Sequence, residues 1–216
     1  MVYYLYLHGF TSSPQSYKAQ VFRARFEALG LSLTLPDLNQ DDFATLTLSR
    51  QLQQARDLIL AQPQPTVIIG SSFGGLTAAW LAEQPDLQPH IQKLVLLAPA
   101  LQFAAQWLPR LGEAALAEWQ RQGVRQIYHY GDSGERPLHY RFVTDLLGYD
   151  EAQLQAETPT LICHGLADEV IAIDASRAYA AHRPWVTLLE LASDHTLRDA
   201  EDDIWQAMSH FLGINP

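Results

Sequence analysis

The chain has 216 residues, of which 48% are hydrophobic and 18% charged, and its formal net charge is −10 at pH 7. That length sustains one domain with a sizeable core, and the composition excludes a disordered, fibrous or repeat protein. The acidic excess repels phosphate backbones and anionic lipid heads, so neither a nucleic-acid nor a membrane partner is expected.

Residues 2–7 form a tyrosine- and leucine-rich apolar run that stops at His8-Gly9 and reads as a buried strand. They also lack the basic start and cleavage site of a signal peptide, and no apolar run approaches the ~20 residues that span a bilayer, so cytoplasmic residence is expected. A helix is expected after Pro14, with Val21, Phe22, Phe26 and Leu29 at helical spacing and Gly30 ending it. Residues 31–35 read as a second strand, residues 49–61 as a helix, and 66–70 as a short apolar strand. Gly74-Gly75 opens the next helix, and 93–98 is another buried strand.

Residues 160–163 and 186–191 complete the strands, with helices over 174–181 and 201–211. Cys163 lies in the first of these apolar runs. As the lone cysteine it cannot join a disulfide within the chain and reads as a small core residue. Most strands are continuously apolar, as strands buried on both faces of a helix-covered parallel sheet are. The expected fold is α/β: a three-layer sandwich on a mostly parallel sheet of about six strands in the order 2-1-3-4-5-6.

The connection over about residues 99–158 is far longer than a crossover needs. It reads as an insertion within one domain covering 1–216, not as a second domain. A helix is expected over 111–122. A hairpin is expected from Ile127-Tyr128-His129-Tyr130 through Gly131-Asp132-Ser133-Gly134 to Leu138-His139-Tyr140.

The strongest local signal is Gly70-Ser71-Ser72-Phe73-Gly74, which fits G-x-S-x-G between an expected strand and an expected helix. A serine on so sharp a turn sits in a strained backbone conformation, and bulky flanks would clash. The turn pushes the hydroxyl outward, and the helix start behind it offers N–H groups to a developing oxyanion. Ser72 is therefore the candidate nucleophile; Ser71 lacks the symmetric glycine flanks.

With this motif in place, the chain resembles the α/β-hydrolase superfamily over nearly its whole length. More narrowly, Leu5-Tyr6-Leu7-His8-Gly9-Phe10-Thr11-Ser12-Ser13-Pro14 and Gly70-Ser71-Ser72-Phe73-Gly74-Gly75 are similar to small bacterial YqiA-like esterases. The resemblance implies the chain order serine, acid, histidine. It also implies that the insertion acts as a lid, and because the strand before His8-Gly9 starts at residue 2, the superfamily's two usual leading strands are expected to be absent.

A serine hydroxyl needs a base, and the base needs an orienting carboxylate. His195, just past the last strand in Ser193-Asp194-His195-Thr196, falls where the superfamily's histidine loop does. The remaining seven histidines sit in the first loop, polar loops, the insertion, a strand end or the last helix. Asp168, in His164-Gly165-Leu166-Ala167-Asp168-Glu169-Val170, matches the superfamily's acid position, with Glu169, Asp194 and Asp199 as rivals. The oxyanion donors are expected to be the backbone N–H groups of Phe73 and Phe10, with Thr11 as the fallback, and His8 is expected to order that loop.

No metal motif, P-loop or G-x-G-x-x-G occurs, so no cofactor and no metal are expected. The expected reaction is hydrolysis of a carboxylic ester of small or medium acyl chain. An acyl thioesterase or acyltransferase could use the same triad, as could a hydrolase of carbon–carbon or amide bonds. A non-catalytic binding protein of this fold is the remaining alternative. The expected partner is a small-molecule ester or thioester. The insertion's Phe103, Trp107, Leu108, Trp119, Tyr128, Tyr130, Tyr140 and Phe142 are expected mostly to pack it onto the body, with some left to shape a pocket.

Overall fold

The computed structural model describes residues 1–214. Six strands form one sheet: β1 (Tyr3–Leu7), β2 (Leu33–Thr34), β3 (Thr66–Ser71), β4 (Ile91–Leu97), β7 (Thr160–Gly165) and β8 (Val186–Leu191). Their order is β2-β1-β3-β4-β7-β8, and every pairing is parallel. Counting sheet strands alone, this is the 2-1-3-4-5-6 order expected from the sequence. A separate antiparallel hairpin, β5 (Val124–His129) with β6 (Gly134–His139), lies in the insertion.

The unbroken apolar character of the strands has a simple cause. Alternate side chains of a strand point to opposite faces. Tyr4, Tyr6, Val67, Ile69, Val95, Leu97, Leu161 and Cys163 face one way. They pack with Phe22 and Phe26 of α1 (Tyr17–Ala28) and with Ile204, Trp205 and Met208 of α8 (Glu201–Leu212). Leu5, Leu7, Ile68, Leu94, Leu96 and Ile162 face the other way. They pack with α2 (Leu48–Leu60), α3 (Phe73–Ala82), α7 (Ile173–Ala180) and the insertion. Cys163 is wholly buried, and burial pushes its thiol up to about 12, so it behaves as core.

The structure departs from the sequence reading in several places. Helix α1 starts at Tyr17, not at Pro14, because Ser13 to Ser16 close a turn in which the Ser16 N–H donates to the Ser13 carbonyl at 3.0 Å. Strand β2, at the sheet edge, keeps only two residues. The expected 111–122 helix is α5 (Glu113–Gln122), which starts after Gly112, whose φ of 79° no α-helix accommodates, and a further helix, α4 (Phe103–Leu111), precedes it where none was expected. The hairpin strands extend back to Val124 and Gly134. A short helix, α6 (Arg141–Leu146), then follows, too brief to show a period. Among the described residues no helix is long and apolar enough to cross a membrane.

The insertion is not a detached flap. Phe103, Trp119, Leu138, Phe142, Val143 and Leu146 are buried in the same core as the sheet. Tyr128 and Tyr130 stay exposed and touch edge to face at 5.1 Å.

Candidate active site

Ser72 stands between the end of β3 and the start of α3, with φ 53° and ψ −117°. A non-glycine residue holds such a conformation only when its surroundings impose it. Here the Ser72 N–H donates to the Leu97 carbonyl at 2.9 Å. Its own carbonyl accepts from Gly75, Leu76 and Ala100 at 2.8, 3.2 and 2.9 Å. The flanking glycines are obligatory for room. A Cβ on Gly70 would come within 2.4 Å of the Gly74 carbonyl oxygen, and one on Gly74 within 2.1 Å of the Leu7 carbonyl oxygen. The rival hydroxyl, Ser71, is buried within β3.

His195 occupies the loop between β8 and α8. Its Nδ1 lies 2.7 Å from Asp168 Oδ2, and its Nε2 lies 3.2 Å from Ser72 Oγ. Asp168 sits in the loop after β7 with its side chain fully buried. Asp168 Oδ1 accepts the Val170 and Ile171 N–H groups at 2.8 Å each. Burial alone would raise this carboxyl's pKa. Hydrogen bonds from His164 and His195, the His195 charge and the Ile171 N–H outweigh burial and hold it well below the usual carboxylate range. The acid therefore stays ionised and oriented behind the imidazole.

The rivals for these places are engaged elsewhere. Glu169 is exposed. Asp194 accepts the Thr196 N–H and hydroxyl at 2.7 and 2.6 Å, closing its own turn. Asp199 accepts from the Ser193 hydroxyl. Among the histidines, His129 packs edge-on against Phe43 at 4.8 Å, and His139, His182 and His210 are exposed.

The loop after β1 passes close to the serine: a Cβ on Gly9 would lie 3.3 Å from Ser72 Cβ. His8 braces this loop. Its Nε2 accepts the Leu38 N–H at 2.9 Å, and its Nδ1 donates to the Gly9 carbonyl at 2.9 Å. The insertion braces it from the other side, since the Thr11 carbonyl accepts the Tyr130 and Gly131 N–H groups at 2.8 and 3.3 Å. Among the described residues, the Phe10 and Phe73 N–H groups meet no protein acceptor. A negative oxygen near Ser72 could take both.

The rings of Phe10 and Phe73 anchor the insertion. Phe10 stacks on Phe142 with centroids 4.9 Å apart and meets Trp107 edge-on at 5.5 Å. Phe73 meets Phe103 at 5.1 Å, and Trp107 stacks on Phe103 at 5.3 Å. Phe103, Trp119 and Phe142 are buried, while Phe10, Trp107, Leu108 and Tyr140 are half-buried. Packing thus accounts for the buried rings, while half-buried Phe10 and Trp107 lie in the aromatic cluster around Phe73, the residue after the serine, and Tyr140 meets Trp119 edge-on at 5.8 Å.

Two neighbours escaped the sequence reading. Lys18, on the first turn of α1, donates its ammonium to the His195 carbonyl at 3.2 Å. His164, read only as a strand end, reaches Asp168 from behind. The His164-Gly165 pair ahead of Asp168 was the visible trace of the second; nothing local marks Lys18.

The architecture and topology are those of the α/β-hydrolase fold. The chain belongs to UPF0227, an uncharacterised protein family whose family model matches residues 3–212. This is the YqiA-like group that the motifs at residues 5–14 and 70–75 anticipate. Solved structures with the same fold include a putative hydrolase from Agrobacterium vitis S4, 21% identical, with a TM-score of 0.77 over 97% of this chain and 87% of that one. Est1E from Butyrivibrio proteoclasticus is 19% identical, with a TM-score of 0.75 over the same shares. A monoacylglycerol lipase from Paleococcus ferrophilus is 14% identical, with a TM-score of 0.74 over 99% of this chain and 95% of that one. No curated protein sequence matches the chain.

Proposed function

We propose that the chain is a serine hydrolase that cleaves carboxylic esters of small or medium acyl chain through a Ser72–His195–Asp168 triad. One observation carries the reading: a single imidazole bridges Ser72 Oγ at 3.2 Å and the buried Asp168 carboxylate at 2.7 Å. That is the geometry a serine needs to act at neutral pH. The strained elbow at Ser72 and the two free amides beside it support the same reading.

In the mechanism that follows, Ser72 Oγ attacks the ester carbonyl carbon as His195 Nε2 takes the hydroxyl proton. The carbonyl oxygen becomes an oxyanion and accepts the Phe10 and Phe73 N–H groups. Collapse of the tetrahedral intermediate breaks the bond to the alkoxide, which leaves with the proton from His195 Nε2. Water then adds to the acyl-enzyme with His195 as base, and a second collapse releases the acid and restores Ser72. Asp168 stays ionised throughout, fixing the tautomer and stabilising the imidazolium. The reaction needs no cofactor.

The half-buried Phe10 and Trp107, in the aromatic cluster around Phe73, favour an apolar acyl group, and a fold neighbour named as a monoacylglycerol lipase makes ester cleavage the first reaction to test. The test is a panel of nitrophenyl esters and acyl thioesters of rising chain length, assayed with wild type and Ser72→Ala. Ser72-dependent turnover with the highest kcat/KM on short esters is expected. Higher kcat/KM on thioesters would move the assignment to a thioesterase, and turnover that survives Ser72→Ala would remove it.

A further inference from the structure

The hydrogen-bonded chain does not end at Asp168. Behind the carboxylate lies a second imidazole, His164, at the C-terminal end of β7, wholly buried. Its Nε2 faces two atoms that only accept: Asp168 Oδ2 at 3.1 Å and the Ile171 carbonyl at 3.0 Å. Nε2 therefore carries a proton and shares it between them. Nδ1 of the neutral ring is then an acceptor, and Ser176 Oγ, 2.7 Å away on α7 and also wholly buried, donates to it. All three side chains are wholly buried, so each bond polarises the next.

We propose that His164, held by Ser176, is a positioning residue of the Ser72 site: it fixes the Asp168 carboxylate and, by sharing Oδ2 with His195, sets how much negative charge that oxygen offers the His195 Nδ1–H. The inference rests on reading Ser72, His195 and Asp168 as one catalytic unit. His164 and His195 compete at one atom. Asp168 Oδ1 is occupied by two backbone N–H groups, so His164 and His195 both address Oδ2. Each donor draws charge from the oxygen and weakens the other's bond.

Withdrawing His164 leaves Oδ2 to His195 alone, which favours the imidazolium and makes His195 titrate at higher pH. It also releases a buried carboxylate from one of its guides, so the imidazole meets Ser72 less often in attacking geometry. Removing the Ser176 hydroxyl weakens the His164 donation and acts in the same direction, to a smaller extent. Lys18 from α1, which donates to the His195 carbonyl and feels the charges of Asp168, Asp194 and Arg198, and Asp194, which interacts with the His195 charge, are the other charged groups around the triad. Both are untouched by either substitution and remain constant in the comparison.

The test is an NMR titration of the His195 Cε1–H signal, identified by its loss in His195→Gln, in wild type, Ser176→Ala and His164→Leu. It is paired with the pH profile of nitrophenyl ester hydrolysis. We expect an upward shift of ~0.5 pH unit or more in His195→imidazolium titration for His164→Leu, and a smaller upward shift for Ser176→Ala. The acid limb of kcat/KM should move with it. For His164→Leu, kcat should fall by about 10-fold with KM little changed, because the imidazole is less often placed for attack.

If His195 titrates at the wild-type pH in both variants, the proposal is overturned, whatever happens to melting temperature. Ser176→Ala removes one oxygen and leaves the ring, so it decides the matter if His164→Leu does not fold. A shifted titration in a protein that hydrolyses no ester would leave this proposal standing and refute the proposed reaction instead.

Discussion

His195 is held more closely by Asp168, at 2.7 Å from Nδ1 to Oδ2, than by Ser72, at 3.2 Å from Nε2 to Oγ. A hydrogen bond to a buried, ionised carboxylate is the shorter and stronger kind. The imidazole is thus anchored on its acid side and free to adjust on its serine side, where such contacts are commonly long until substrate arrives.

Asp168→Asn keeps the shape of the acid and removes its charge. The expected result is a fall in kcat for a nitrophenyl ester of about 10⁴-fold with the fold intact, because the amide no longer enforces the working tautomer. A variant within tenfold of wild type would mean that another group orients His195. Asp194 and Asp199 are already occupied elsewhere in the loop.

The same carboxylate should leave a mark on acid stability. Its folded-state pKa lies well below the ordinary unfolded value of about 3.9. It therefore contributes stability that is fully present above about pH 4 and is lost as pH falls from there toward the folded value. Urea midpoints of wild type and Asp168→Asn, measured from pH 6 down to pH 2, should converge as pH drops. A gap independent of pH would show that the carboxylate is not held in its charged form.

Lys18 works in the opposite pH range. Burial lowers its ammonium to about 8, against the pull of Asp168 and Asp194. The unfolded value is about 10.4, so between roughly pH 8 and 10.4 the unfolded chain binds more protons than the folded one, and this group raises stability with pH there. The melting temperature of wild type minus that of Lys18→Met should therefore rise from pH 7 to pH 10. A flat difference would mean that the ammonium is solvated rather than buried against the His195 carbonyl.

The insertion's hold on the body depends on a few rings. Phe142 is wholly buried and stacks on Phe10, so Phe142→Ala should destabilise by about 3–5 kcal/mol through the cavity it leaves. Tyr130 is 75% exposed, and Tyr130→Ala should change stability by no more than about 0.5 kcal/mol, since the N–H that grips Thr11 remains. Urea unfolding measures both. Equal effects would mean that the insertion is not part of the core.

The features legible in the sequence were those with a period, a composition or a contiguous motif. Buried strands announced themselves because both of their faces meet helices, and Ser72 because Gly70 and Gly74 leave no room for a Cβ. Gly112 was visible as a glycine but not as a positive φ, so the helix was read from residue 111 instead of 113, and α4 before it was not anticipated. Helix α6 was too short to carry a pattern. The supports around His195 were hidden for a different reason. Lys18 lies 177 residues away in sequence, and Ser176 meets His164 across a strand, a loop and a helix. The first pairing is created by the packing of α1 beside the loop after β8 and the second by the fold-back of α7 onto the end of β7, and neither leaves a contiguous pattern.

The proposed role of Ser72 is that of a nucleophile activated by its neighbours. Intact-mass measurement after exposure to a fluorophosphonate probe tests it most directly, comparing wild type, Ser72→Ala and His195→Ala. One stoichiometric adduct on Ser72 is expected in wild type, none in Ser72→Ala, and labelling slowed by orders of magnitude in His195→Ala. An unlabelled wild type, or an adduct that persists in Ser72→Ala, would contradict it.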